Sequence, residues 1–235
     1  MKSVRKLKKF RVLVGTPHAD VKNYCFDEFL QSLKTFTYDN YDAVVVDNSK
    51  SRKNTKKIRK AGVGAMHVKP KLKVNRQYIA ESHEMIKHVA LDGGYDFLLH
   101  LESDIFPPSD IIERLLIHQK PVVSAMYPID FGDDSHLMLQ TIEKRGGENV
   151  KHTINTAAMH DFNIIDGELH QVYACGLGCT LIHRDILSKF SFRWQKEVNA
   201  HPDTFFANDL HQLGIKQYLD TSILCDHKNS EWIHF

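Results

Sequence analysis

From residue 10 to residue 126, short apolar runs that stop abruptly at small polar residues alternate with stretches of helical spacing, and few architectures accept such an alternation. Phe10-Arg-Val-Leu-Val-Gly15 reads as a buried strand broken at Gly15-Thr-Pro17, and residues 21–36 carry the apolar period of a helix. Tyr41-Asp-Ala-Val-Val-Val46 is a second strand, closed by Asp47-Asn48-Ser49, whose short polar side chains favour turns and helix caps. A basic helix is expected over residues 51–61, a weaker strand over Val63–Val68, and a long helix over residues 75–91 that runs into Gly93-Gly94. Tyr95–Leu101 and Val122–Met126 supply two further strands, separated by a helix over residues 110–118 that Ser109 can cap. Such a chain builds an α/β fold, a mostly parallel sheet with helices on both faces, whose ligands sit outside the carboxyl ends of the strands. Thr16, Asp47 and Asp104 should therefore share one crevice.

The 235 residues suffice for a substantial core, and no repeat or low-complexity linker divides them, so a single domain over 1–235 is expected, with halves 1–126 and 127–235. Residues 130–170 read as loops with a small antiparallel hairpin. With 42% hydrophobic and 26% charged residues the chain is not a disordered one, and a net charge of +2 commits it to no polyanion as a whole. Basic residues nevertheless cluster at Lys2–Lys9 and Lys50–Lys60, where phosphate, a membrane surface or an acidic polymer could be met. No apolar stretch approaches the roughly 20 residues that span a bilayer. The basic N-terminus runs into Val12-Leu13-Val14 instead of a signal-peptide core, so a cytoplasmic protein with four free thiols, Cys25, Cys175, Cys179 and Cys225, is expected.

Glu102 and Asp104 follow an apolar run and precede Pro107-Pro108. Residues two apart in a strand share a face, so the two carboxylates can point at one divalent cation. Oxygen ligands suit Mg²⁺ or Mn²⁺, which keep open positions for the phosphates of a nucleotide.

Taken in order, these residues resemble the GT-A glycosyltransferases, nucleotide-sugar-dependent and family 2-like, over nearly the whole chain. Val12-Leu-Val-Gly-Thr-Pro17 and Val44-Val-Val-Asp47 look like that family's first and second nucleotide-binding strands, and Val74-Asn75-Arg76 like its Asn-Arg element. Leu101-Glu-Ser-Asp104 stands at the position of its Asp-x-Asp metal motif, and Val172–Arg184 resembles its glycine-containing acceptor strand. Asp203 opens a helix-like stretch that ends at Gly214, the interval at which the family places its catalytic acid, and His227 stands where the family often supplies a histidine to the metal.

The resemblance implies a Rossmann-like GT-A fold, a donor half in residues 1–126 and an acceptor half in residues 127–235. It implies a UDP-sugar donor contacted by Thr16, Pro17, Asp47, Asn75, Arg76, Glu102 and Ser103. Mn²⁺ or Mg²⁺ would be held by Asp104 and His227, with Glu102 on metal, water or ribose. Asp203 would be the general base of an inverting transfer, and Tyr127, Gly176, Gly178 and Trp194 would lie on the acceptor side.

Two positions depart from the family: Glu102 replaces an Asp, and Pro202 stands where a Glu often precedes the base. Asp209 is a reserve candidate base, and Asp226 competes with His227. Phe192 and Trp232 join Tyr127 and Trp194 as aromatic platforms for a sugar or base. The acceptor is expected to be a glycan or, given the basic clusters, a hydroxylated base in DNA; the oligomeric state is left open. Two rival functions use the same residues: a nucleotidyltransferase acting on a sugar phosphate, and a binding module in which Cys175, Cys179, Cys225 and His227 hold zinc.

Overall fold

The computed structural model describes residues 9–69, 74–131, 134–137, 139–145, 148–152, 157–158, 165–198 and 200–229. Along the chain these form β1 (Val12–His18), α1 (Phe26–Ser32), β2 (Tyr41–Asp47), α2 (Lys53–Lys60), β3 (Gly64–His67), α3 (Asn75–Asp92), β4 (Phe97–Leu101), β5 (Ile105–Phe106), α4 (Ile111–Leu116) and β6 (Val122–Met126). The second half contributes β7 (Pro128–Phe131), β8 (Asp134–Leu137), β9 (Leu139–Arg145), β10 (Glu148–His152), β11 (Ala157–Ala158), β12 (Leu169–Val172), β13 (Ala174–Cys175), β14 (Cys179–His183), α5 (Arg184–Leu187), α6 (Pro202–Gln212), β15 (Gln217–Leu224) and β16 (Asp226–His227).

Eight strands make one sheet in the order β12-β15-β6-β14-β4-β1-β2-β3. The pairs β1–β2, β2–β3, β1–β4 and β6–β15 are parallel, while β14 and β12 run against their neighbours. Strand alternation separates two cores. Val12, Val14, Leu99 and Leu101 face Phe26, Phe29 and Leu30 of α1, Ile58 of α2 and Ile111, Ile112 and Leu115 of α4. Leu13, Val44, Val46 and Leu98 face Ile86 and Ala90 of α3, Ile186 of α5 and Phe206 and Leu210 of α6. Each such side chain contributes ~1.5–3 kcal/mol on burial, so the helices are fixed to both faces chiefly by the hydrophobic effect. Gly15 lets α3 lie close against β1, because a Cβ there would stand 2.2 Å from Ile86 Cγ2 and 2.9 Å from Leu98 Cδ1.

Smaller antiparallel sheets, β10-β9-β13 and β11-β8-β7, lie in the second half, and β16 pairs with β5. Among the described residues no helix is long and apolar enough to cross a membrane.

Three local expectations change. The helix expected over residues 21–36 is confined to Phe26–Ser32. Only a 3₁₀ turn, Asp20–Lys22, precedes it, because Asp20, Lys22 and Asn23 bond through their side chains to the Lys50 N–H, to Asp104 and to Asn54 of α2. Ser109 is not the cap of α4, whose N-cap residue is Asp110, with no side-chain cap bond. Val172–Arg184 is not one strand, since the segment turns at Gly176–Gly178 between β13 and β14.

Candidate functional site

β4 ends at Leu101, and Glu102 to Ile105 form a turn in which the Ile105 N–H donates to the Glu102 carbonyl at 3.1 Å. The acidic pair thus converges through a turn and not through strand alternation. Ser103 points inward, its hydroxyl 3.0 Å from His18 Nδ1, so it faces the protein and not a ligand. On the other side of the turn the Lys22 ammonium donates to Glu102 Oε2 and to Asp104 Oδ1, both at 2.7 Å. Burial works against that ammonium, yet Asp104 and Glu102 outweigh it and raise the Lys22 pKa. Burial would likewise raise the Asp104 carboxyl, but Lys22 and His227 overrule it and lower it to about 2.

The β5–β16 pairing brings His227 opposite Ile105, beside Asp104, across more than 100 residues of chain. The Lys228 N–H reinforces it by donating to the Asp104 carbonyl at 2.9 Å. His227 Nδ1 lies 2.6 Å from the Pro128 carbonyl, an acceptor, so this nitrogen carries the proton. Nε2 is thereby turned towards Asp104 Oδ2, 3.5 Å away, too long for a good hydrogen bond. Asp104 is fully buried and its Oδ2 has no hydrogen-bond partner among the described residues. Such an atom facing an imidazole oriented by a carbonyl suits a cation between them. Asp226 alternates to the exposed side of the strand and does not compete. No group of three or more His, Cys, Asp or Glu side chains among the described residues is placed to hold a metal. Two protein ligands nonetheless fit a cation that arrives with the phosphates of a nucleotide.

Asp203 stands in the first turn of α6, where the Thr204 N–H donates to its Oδ1 at 2.8 Å. Burial is the main cause of a raised Asp203 pKa; His201 and the backbone oppose it, and the charge of Glu102 adds to it. Tyr127 is buried, and burial first, then the charges of Glu102 and Asp203, push its phenol well above the ordinary value. Its hydroxyl accepts the Gly178 N–H at 3.0 Å, and its ring meets His227 edge-on at 5.5 Å.

A Cβ on Gly178 would stand 2.6 Å from Tyr127 Cζ, so this glycine is required by an internal aromatic ring, not by the approach of a sugar. Gly176 is buried and its carbonyl accepts the Thr180 hydroxyl at 3.1 Å. Trp194 is half-buried, whereas Phe192 belongs to the core with Phe190 and Phe206. Trp232 lies outside the described residues. Asp209 is bound by the Arg193 guanidinium, Nη2 to Oδ1 at 2.8 Å, which removes it as a reserve base.

At the nucleotide side, Thr16 and Pro17 are buried in β1, the Thr16 hydroxyl without a hydrogen-bond partner among the described residues. Asp47 is also buried, and its two oxygens accept the Ser49 N–H at 3.0 Å and the Thr55 hydroxyl at 2.6 Å. Its carboxylate thus braces the loop that follows β2 and the start of α2. Asn75 and Arg76 open α3, Asn75 exposed and Arg76 half-buried.

The zinc arrangement does not form. Cys175 donates to Ser124 Oγ at 2.8 Å and accepts from Gln217 Nε2 at 2.7 Å, all four cysteines are free and buried, and His227 faces Asp104. Residues 1–8 of the first basic cluster lie outside the described residues; in the second, Arg52, Lys53, Lys56, Arg59 and Lys60 are exposed. Lys22 is the functional candidate that sequence reasoning missed. It sits in a polar loop like many solvated lysines, and only the folded chain brings it to Glu102 and Asp104.

No family model and no curated protein matches the sequence. Among solved structures, that of GalNAc-T7 with UDP, GalNAc and Mn²⁺ has a TM-score of 0.63 at 10% identity and covers 94% of this chain. This chain spans only 44% of that one, less than half its length. A197 from STIV covers 94% of this chain and 87% of its own at 16% identity, with a TM-score of 0.49. The former likeness shows a GT-A-like α/β fold, a mostly parallel central sheet with a small antiparallel extension.

Proposed function

We propose that the protein transfers a glycosyl group from a nucleotide sugar, a UDP-sugar in the first instance, to an acceptor hydroxyl. The observation that carries this reading is the buried Asp104 Oδ2, without a hydrogen-bond partner among the described residues, facing His227 just beyond the end of β4, with Asp203 near enough to feel the charge of Glu102. The GT-A-like fold supports it, as does the UDP and Mn²⁺ in the GalNAc-T7 structure.

Mn²⁺ or Mg²⁺ bound by Asp104 and His227 would stabilise the negative charge that gathers on a departing diphosphate. His227 keeps its orientation through the Pro128 carbonyl. Asp203 accepts the acceptor's hydroxyl proton as the oxygen forms its bond to the anomeric carbon and the bond from that carbon to the diphosphate breaks. Attack from the side opposite the leaving group inverts the anomeric centre. A raised carboxyl pKa suits a base that works near neutral pH. Residues 1–126 would then serve the donor, through Thr16, Pro17, Asn75, Arg76 and Glu102, and residues 127–235 the acceptor, with Trp194 a platform for it.

A panel of nucleotide sugars assayed for Mn²⁺-dependent hydrolysis tests the reading. Release of UDP from at least one UDP-sugar is expected, and no turnover of any nucleotide sugar with Mn²⁺ or Mg²⁺ would overturn it. A glycan is the first acceptor to try. A hydroxylated base in DNA is the second, favoured by the exposed basic residues of α2, and duplex binding that weakens steeply with salt would support it.

A further inference from the structure

The Glu102–Asp104 pair already has a cation, and it belongs to the chain. Lys22 Nζ stands 2.7 Å from one oxygen of each carboxylate, and its side chain is only 15% exposed. The two oxygens of Asp104 are therefore divided. Oδ1 faces the ammonium, while Oδ2, buried and without a hydrogen-bond partner among the described residues, faces His227 at 3.5 Å. Lys22 cancels one of the two negative charges that would otherwise draw a divalent ion into the crevice, and an ion beside Oδ2 would have a like charge as its neighbour. A nucleotide diphosphate changes that balance, because it brings several negative charges that both cations can share.

We propose that Lys22 is a built-in counter-cation that suppresses divalent-metal binding to the empty site and makes it depend on the nucleotide diphosphate. The inference rests on the metal site of the proposed function. It adds an order to it: the ion enters with, or after, the nucleotide. A coupling between the two ligands is reciprocal, so Lys22 also makes UDP binding depend on the metal. Arginine preserves the charge at position 22, while methionine keeps most of the volume and removes it.

Mn²⁺ binding measured by electron paramagnetic resonance, with and without UDP, reads this without any turnover. Wild-type protein is expected to take up Mn²⁺ weakly alone and tightly with UDP. Lys22→Met should bind Mn²⁺ alone about 10-fold tighter or more, within the usual range of coupling between sites, and the UDP effect should shrink by the same factor. Lys22→Arg should keep the wild-type pattern. Tight Mn²⁺ uptake by wild type with UDP, but no gain for Lys22→Met alone, would overturn the inference and leave the metal site standing. Failure of wild type to take up Mn²⁺ even with UDP would instead remove the proposed metal site and the inference with it. If Lys22→Met does not fold alone, its two carboxylates lack a counter-charge. Recovery of its native circular dichroism on adding Mn²⁺ then supports the inference, and no recovery overturns it.

Discussion

Asp104 turns its two oxygens to different residues, Oδ1 hydrogen-bonded to Lys22 and Oδ2 facing His227 at 3.5 Å, and that division is the chemical centre of the proposed site. Asp104→Asn removes the charge that both partners answer. UDP-dependent Mn²⁺ uptake and sugar-nucleotide turnover should both vanish in this variant, and retention of either would remove Asp104 from the site. Asp203→Asn would act on the other half of the proposed reaction. Loss of a general base lowers kcat by roughly 10²- to 10⁴-fold, while the Kd for UDP with Mn²⁺ should stay within about twofold of wild type. A fall in kcat with an equal loss of UDP affinity would instead make Asp203 part of the donor pocket.

At the scale of elements, the shape of the turn between β13 and β14 follows from Gly178 packing under Tyr127. Gly178→Ala forces the ring to move and should cost about 1–3 kcal/mol in denaturant unfolding. In a Tyr127→Leu background the same change should cost measurably less, because the clash is with the ring itself. Additive costs in the double variant would show that the turn, not the ring, demands glycine. The elements were mostly legible in the sequence. α2, α3, β6 and α6 lie close to their expected positions because apolar period and flanking turn residues agree there, as at Gly214, whose φ of +66° ends α6. The short α1 and the broken Val172–Arg184 segment were not legible. Their shapes depend on partners such as Asn54 and Tyr127 that are distant in sequence and leave no local pattern.

For the whole molecule, three buried histidines make stability depend on pH. Burial lowers His18 and His100 from 6.5 to about 4, and His83, packed 4.1 Å from the His100 ring, falls well below 6.5. The unfolded chain protonates these rings first as the pH drops, so their contribution is intact above about pH 6.5 and is lost progressively towards pH 4. Each can cost up to about 1.4 kcal/mol per pH unit in that window. Urea unfolding should therefore give a clearly smaller free energy at pH 5.0 than at pH 7.5, and equal values would show that the rings do not stay neutral. The global picture of a mostly parallel sheet with helices on both faces could be read from the order of the segments. What the sequence could not show was which polar residues turn inwards. Asp47 and Ser103 carry the right chemistry at the right strand ends, yet Asp47 braces the loop after β2 and Ser103 bonds to His18 of β1, whereas Lys22 carried no signal and reaches both acids.

The account stands on Asp104 and His227 sharing one cation at a nucleotide site that Asp203 faces. Crystals grown with UDP and MnCl₂, measured at the manganese absorption edge, test this most directly. One anomalous peak is expected in bonding contact with Asp104 and His227 and against the UDP phosphates. A nucleotide bound away from the crevice, or a manganese peak that touches neither residue, would contradict the account.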